Sequence, residues 1–332
     1  MRSEYLFELG GENIELGKFE ANEVLKTEKY DPKLKFEEDN SIILNVSKVI
    51  EPRTISRLGM TKRVSKIFHS ANYKKDINKV INKINFLDIG RKSFAIRLIT
   101  KKKISENKIA IKLGEKIPEK NKTNLKKPDV KILFYVGERI IISIYKSKID
   151  TSYKKCLKHH IKYRPYFSPI SIHPRIARAM VNLANCSVND TVIDPFCGTG
   201  GILIEAADMN LKIIGSDILP KMVENTKGNL KHFKFKGKII ESDVRSISKL
   251  KFNAIVCDPP YGISTTTKGE KISDLMNRTM DTFTKNLIKG QRVIMAISKP
   301  ELIKTSEFRL KKQFKWYIHK SLTRNILILE KN

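Results

Sequence analysis

A run of apolar residues that ends in an acid and then breaks into glycines constrains this chain more than any other feature. Residues 192–205 read VIDPFCGTGGILIE: a short strand closing on Asp194, a turn with glycines at 198, 200 and 201, and the start of an apolar helix. Glycine lets the backbone adopt φ > 0 and lets a ligand approach closely, so the segment reads as a ligand loop joining strand to helix. Strand–helix alternation then continues. Strands are expected at residues 191–193, 212–216, 238–241, 254–257 and 292–297, with helices at 201–209, 221–232 and 274–288. Repeated βα units build a doubly wound sheet whose ligand sits beyond the carboxyl ends of the strands. Residues 314–318 and 325–329 read as an antiparallel hairpin that closes it.

Three ligands compete for the loop. A phosphate-cradling P-loop needs Lys-Ser/Thr after its last glycine, and none follows. A dinucleotide loop needs a small residue where Leu203 stands, and leucine obstructs the close helix–strand packing. S-adenosylmethionine carries no phosphate, and its cationic amino-acid end suits a carboxylate such as Asp194. Asp217 ends the second strand (IIGSDI), where an acid takes ribose hydroxyls, and Asp243 ends the third (IIESDV), placed to accept from the adenine amine. Strand-end Asp also caps helices, so each alone says little. Three in successive βα turns around one glycine loop exceed what capping explains. The expected cofactor set is Asp194, Pro195, Cys197, Gly198, Thr199, Gly200, Asp217, Ile218, Asp243, Val244 and Asp258.

The fourth strand runs into Asp258-Pro259-Pro260-Tyr261-Gly262. The lone pair of an exocyclic base amine is conjugated into the ring. Methylation therefore requires both N–H bonds to be engaged, so that the nitrogen can pyramidalise. Prolines lack an N–H and leave their carbonyls as pure acceptors. Asp258 can take one N–H in a charge-assisted bond, the Pro259 carbonyl the other, and Tyr261 can stack on the base. Pro-Pro and Tyr-Gly are also ordinary turn formers; the position after three acidic turns gives this one its chemical meaning. The expected catalytic residues are Asp258, Pro259, Pro260 and Tyr261. Cys197 and Cys257 flank the site and read as small packed residues, since a cytosine-C5 enzyme would need a Pro-Cys nucleophile.

The first half reads as small α/β pieces: strands at 5–9, 41–50 and 93–99, helices at 17–27, 61–68 and 77–84, and a hairpin from 130–136 and 139–145. Residues 101–127 are lysine-rich and partly loop; the basic residues 151–165 read as a linker. Lys and Arg total 65 against 35 Asp and Glu, a net charge of +30. So one-sided an excess points to a polyanionic partner such as RNA. No run reaches the ~18 apolar residues of a membrane span. Glu4 and Glu8 interrupt the apolar stretch a signal peptide would need. The four cysteines lack metal spacing, and His159-His160 reads as a basic surface spot. The expectation is a cytoplasmic, reduced, metal-free protein with no membrane partner.

DPFCGTGG, SDI, SDV and DPPYG in that order resemble the Rossmann-fold amino-methyltransferases. RPYFSPISIHPRIARAMVNLA (residues 164–184) and HKSLTRNILILE resemble segments of the archaeal tRNA guanine-10 N2-methyltransferases, and the first half is similar to a ferredoxin-like piece plus a THUMP domain. The resemblance implies an α/β fold: an α+β ferredoxin-like piece (1–55), a THUMP domain (56–150), a linker (151–165), and a Rossmann-fold methyltransferase domain with a closing antiparallel hairpin (166–332). It also implies S-adenosyl-L-methionine as cofactor, tRNA as partner, a monomer, and N2-methylation then dimethylation of guanine 10. In that family the THUMP region grips the acceptor end, and a paired guanine must be flipped, at roughly a few kcal/mol. Other nucleobase amines (ribosomal guanine N2, adenine N6), or RNA binding without catalysis, are the alternatives. Residues 151–332 alone are expected to hold the cofactor.

Overall fold

The computed structural model describes residues 2–72, 77–84, 89–100, 102–169, 171–260, 271–303, 306–320 and 322–332. The chain forms two compact units. One comprises Met1–Ile14, Lys29–Ser56 and Thr61–Thr151; the other comprises Glu15–Glu28, Arg57–Met60 and Ser152–Asn332. Helix α1 (Ile14–Thr27) therefore belongs, apart from its first residue, to the second unit.

The first unit is built on one seven-stranded sheet of β1 (Ser3–Leu9), β2 (Lys33–Glu38), β3 (Ser41–Val46), β4 (Thr61–Asn72), β5 (Phe94–Thr100), β6 (Val130–Val136) and β7 (Arg139–Lys146), in the order β2-β3-β1-β4-β7-β6-β5. Helices α2 (Pro52–Arg57), α3 (Ile77–Asn82) and α4 (Glu106–Gly114) connect its strands. Residues 61–68, expected as an amphipathic helix, are instead β4. It pairs with β1 on one edge (Phe7↔Val64) and with β7 on the other (Lys66↔Ile144). A helix here would leave the facing N–H and C=O groups of both neighbours unpaired, and Thr61, Val64 and Ile67 suit a pleated surface. The residues expected as two modules thus share one sheet through β4. Within the lysine-rich stretch lies α4, capped by Ser105, with Ile109 and Leu113 buried against the sheet. It is the crossover that the parallel pair β5–β6 requires.

In the second unit come α5 (Ser152–Lys155), α6 (Pro174–Leu183), β8 (Thr191–Asp194), α7 (Gly201–Asp208), β9 (Lys212–Asp217), α8 (Pro220–His232), β10 (Lys238–Glu241), β11 (Ala254–Cys257), α9 (Ile272–Asn286), β12 (Arg292–Ile297), β13 (Phe308–His319) and β14 (Leu322–Lys331). The sheet order is β10-β9-β8-β11-β12-β14-β13, parallel from β10 to β12 and antiparallel at the hairpin. This is the doubly wound Rossmann arrangement, and the hairpin is longer than expected. From β8 the chain winds outward to β10, and from β11 it winds the other way. The reversal opens the ligand crevice at the carboxyl ends of β8 and β11.

Several residues from the first hundred complete this unit. Leu16 of α1 and Met60 join the core of Ile176, Ala177 and Met180, and the Phe19 ring packs 5.5 Å from Phe314. The buried Glu20 carboxylate accepts from the Gly59 N–H (2.9 Å), the Met60 N–H (2.8 Å) and Asn182 Nδ2 (2.7 Å). Glu23 accepts from Arg292 at 2.7 Å. Residues 152–165, expected as linker, fold into the same unit, with Cys156, His159 and Arg164 buried. His159, expected at the surface, is fully enclosed. Its Nδ1 lies 2.8 Å from Glu205 Oε1 and its ring meets Phe233 edge-on. Donor atoms of His159, Glu205 and Asp208 lie within 4.8 Å of one another, in a grouping that could suit a cation. Arg178 and Lys158 already neutralise the two carboxylates there.

Candidate active site

The crevice is made by what each strand does as it ends. β8 closes on Asp194, which is buried, its Oδ1 accepting from the Phe196 N–H at 3.0 Å. Pro195 then opens the turn. The Cys197 N–H donates to Ser216 O (2.9 Å) and the Gly200 N–H to Cys197 O (2.7 Å). Gly198 and Gly200 have φ of +52° and +83°, a region in which an L side chain is strained. At Gly200 a β-carbon would also lie 3.1 Å from Thr226 Cγ2. Thr199 is buried, its hydroxyl 3.2 Å from that of Ser171 and its carbonyl accepting from Asn229 at 2.8 Å. The loop is thus fixed on both sides.

β9 ends on Asp217, whose Oδ2 accepts from the Gly198 N–H and Oδ1 from the Leu219 N–H, both at 3.0 Å. Asp217 therefore shapes the glycine loop as well as facing the crevice. Ile218 offers a partly exposed apolar side chain, whereas Val244 is packed into the core beside Ile247 and Leu275. Asp243, expected to meet the adenine amine, accepts from the Arg245 N–H and Nε and from Arg278 Nη1, each at 2.9 Å. Burial works against its charge, but the Arg245 bonds and Arg278 outweigh it and hold the carboxyl below the ordinary range. An adenine amine would share that carboxylate with two guanidiniums. Sequence reasoning missed both arginines, which stand two and thirty-five positions from Asp243.

β11 delivers Asp258 beside Asp194. Its Oδ2 lies 3.2 Å from Arg324 Nη2, and its Oδ1 is buried with no partner among the described residues. Burial pushes its pKa up to about 7 against the pull of Arg324. Pro259 is buried and Pro260 half-buried behind it; Tyr261 lies outside the described residues. Burial also lifts Asp194 well above the carboxylate range, with Asp258 and Asp217 adding repulsion. Cys197 and Cys257 are buried thiols pushed far up by burial, unfit as nucleophiles. Acidic groups crowding a glycine turn suit a cationic ligand and repel a phosphate. That matches S-adenosylmethionine, whose sulfonium and ammonium are positive.

Asp217→Ala is expected to weaken S-adenosylmethionine binding by about ten- to a hundredfold, through lost ribose bonds to a charged acceptor. Calorimetry with the melting temperature measured alongside checks it; unchanged affinity removes Asp217 from the site.

Comparison with known proteins places the chain among methyltransferases. Residues 162–324 match the family profile described as RMKL-like, methyltransferase domain, and residues 33–228 a profile described as DNA methylase. Only the first of these spans reaches Asp258. In overall fold the chain is similar to TrmN from Thermus thermophilus (TM-score 0.56, 16% identity, 99% of this chain and 100% of that one). Among relatives named tRNA (guanine(10)-N2)-dimethyltransferase, that of Methanothermobacter thermautotrophicus is 34% identical over 77% of this chain and 78% of its own. That of Methanocaldococcus jannaschii is 35% identical over 75% and 74%, and that of Pyrococcus abyssi 31% over 88% and 90%. Identity at this level, across both units and at least 75% of the chain, settles its kinship: it belongs to the family of tRNA (guanine(10)-N2)-dimethyltransferases, which are S-adenosylmethionine-dependent enzymes.

Proposed function

We propose that this chain methylates the exocyclic N2 amine of guanine 10 in tRNA, once and then a second time. The observation that carries the chemistry is the Oδ1 of Asp258, buried and without a partner among the described residues, at the sheet reversal beside Asp194. When bound, S-adenosylmethionine supplies an electrophilic methyl group. Asp194, Asp217, Ile218, Asp243, Val244 and the turn from Pro195 to Gly200 would hold it. Asp258 Oδ1 accepts one N–H of the guanine amine and the Pro259 carbonyl the other, drawing the nitrogen out of conjugation; Tyr261 stacks on the base. This is catalysis by orientation and by fixed charge. As the amine becomes cationic, Asp258 or water takes its proton.

The first unit, in our reading the ferredoxin-like piece and THUMP domain, grips the tRNA, and the enzyme works as a cytoplasmic monomer. No helix of the described residues is long and apolar enough to cross a membrane. Log affinity for tRNA is expected to fall by about 0.9 per neutralised duplex phosphate for each unit of log salt. Replacing the exposed Lys126 and Lys127 by Glu should weaken binding and flatten that slope. An unchanged slope and affinity would remove this stretch from the RNA-binding face. For the activity itself, unmodified tRNA incubated with enzyme and cofactor should yield N2-methyl- and N2,N2-dimethylguanosine by nucleoside mass spectrometry. Methylated adenosine instead would reassign the substrate, and no methylation at all would leave only an RNA-binding protein.

A further inference from the structure

Asp258 is held from the far end of the chain. Arg324 lies near the start of β14, and the register Ile297↔Asn325 sets it one residue beyond the carboxyl end of β12. Since β12 runs parallel to β11, this is the end of the sheet at which Asp258 emerges. The Arg324 side chain is 4% exposed, and its guanidinium reaches Asp258 Oδ2 while Oδ1 stays without a partner among the described residues. Guanidinium keeps its proton under any condition in which the protein is folded. It therefore sets a permanent positive charge beside Oδ2.

We infer that Arg324 is a positioning residue for methyl transfer: its buried ion pair with Oδ2 orients the Asp258 carboxylate and reserves Oδ1 for the target amine. The inference rests on Asp258 being the amine acceptor. Among the described residues, the titratable or charged groups facing Asp258 are Asp194 from β8, Cys257 from β11 and Arg324 from β14. The charge on Asp258 raises Asp194, and of these groups Arg324 is the one that favours that charge. Without it the buried carboxyl takes up a proton more readily, and a protonated carboxyl can neither accept the amine proton nor offset charge on nitrogen.

The test is single-turnover methylation of tRNA at saturating cofactor, followed against pH, for the full-length wild type, Arg324→Gln, Arg324→Lys, Asp258→Asn and the Asp258→Asn/Arg324→Gln double variant. Arg324→Gln should move the acidic limb of the profile upward by about one pH unit or more, slow the reaction by about tenfold below neutrality and regain most of the rate in alkali. Lysine, which keeps the charge but loses the fork, should fall between the two. Cofactor affinity and the KM for tRNA should hold. In the Asp258→Asn background, where no charge remains to be tuned, Arg324→Gln should add little. Equal slowing at every pH, or full additivity in the double variant, would show Arg324 to be only a brace of the hairpin. An Asp258→Asn enzyme as fast as wild type would overturn the reading of Asp258 itself. A slow Asp258→Asn with an unshifted Arg324→Gln profile would overturn the role of Arg324 alone.

Discussion

Asp258→Ala is expected to slow methyl transfer by at least ~10²-fold, well beyond any loss of cofactor affinity and with tRNA affinity nearly unchanged, the size of effect seen when a preorganised electrostatic group is removed. Asparagine keeps an acceptor in almost the same place and loses only the charge, so the rates should rank Asp258, then Asn, then Ala. A pH signature accompanies the ranking. Burial raises the pKa of Asp258 to about 7, and the ionised form, which alone accepts an N–H with full charge, predominates above that value. The wild-type single-turnover rate should therefore climb between about pH 6 and 8 and then level. The asparagine variant, with nothing to titrate, should be flat there. If Asp258 merely capped its turn, both variants would lose about 1 kcal/mol of stability and no intrinsic rate. Melting temperatures measured beside the rates separate the two cases. A stable, cofactor-bound Asp258→Ala enzyme working at wild-type speed would end the proposed chemistry.

Glu20→Ala should destabilise the protein by about 3–5 kcal/mol, although Glu20 stands far from any chemistry. Its carboxylate is the acceptor for two backbone N–H groups and the Asn182 amide, all buried, and alanine leaves the three donors unsatisfied. Glutamine retains one oxygen and should fall between. For the same reason the fragment 151–332, expected from sequence to bind the cofactor by itself, should not fold stably. It lacks α1 and residues 57–60, so Asn182 loses Glu20, Arg292 loses Glu23, and the core loses Leu16 and Met60. Urea midpoints for the point variants, and circular dichroism with calorimetry for the fragment, give the answer. A fragment that folds cooperatively and binds S-adenosylmethionine would show that α1 is dispensable.

The strand–loop–helix alternation of the second unit was legible because periodicity and glycine placement are local properties. β8 to β12 fall within a residue of where the pattern put them, and the acids that end them sit at the carboxyl edge because a parallel sheet aligns all its strand ends. The sequence by itself therefore determined the doubly wound sheet, the glycine loop with its positive φ at Gly198 and Gly200, and the placing of Asp194, Asp217 and Asp258. Elsewhere the decisive interactions join residues far apart in the chain. β4 is a strand because β1 and β7 offer it two edges, which the helical spacing of residues 61–68 could not reveal. Partners of charged groups were equally hidden: Arg324 for Asp258, Arg278 for Asp243, Asn182 for Glu20. A carboxylate looks the same in sequence whether a guanidinium covers one oxygen or both, and whether burial moves its pKa or leaves it alone. Only folding, which fixes how much water each group loses and which charge replaces it, turned Asp243 into an ion-paired cap and left Asp258 with one oxygen that no described residue binds.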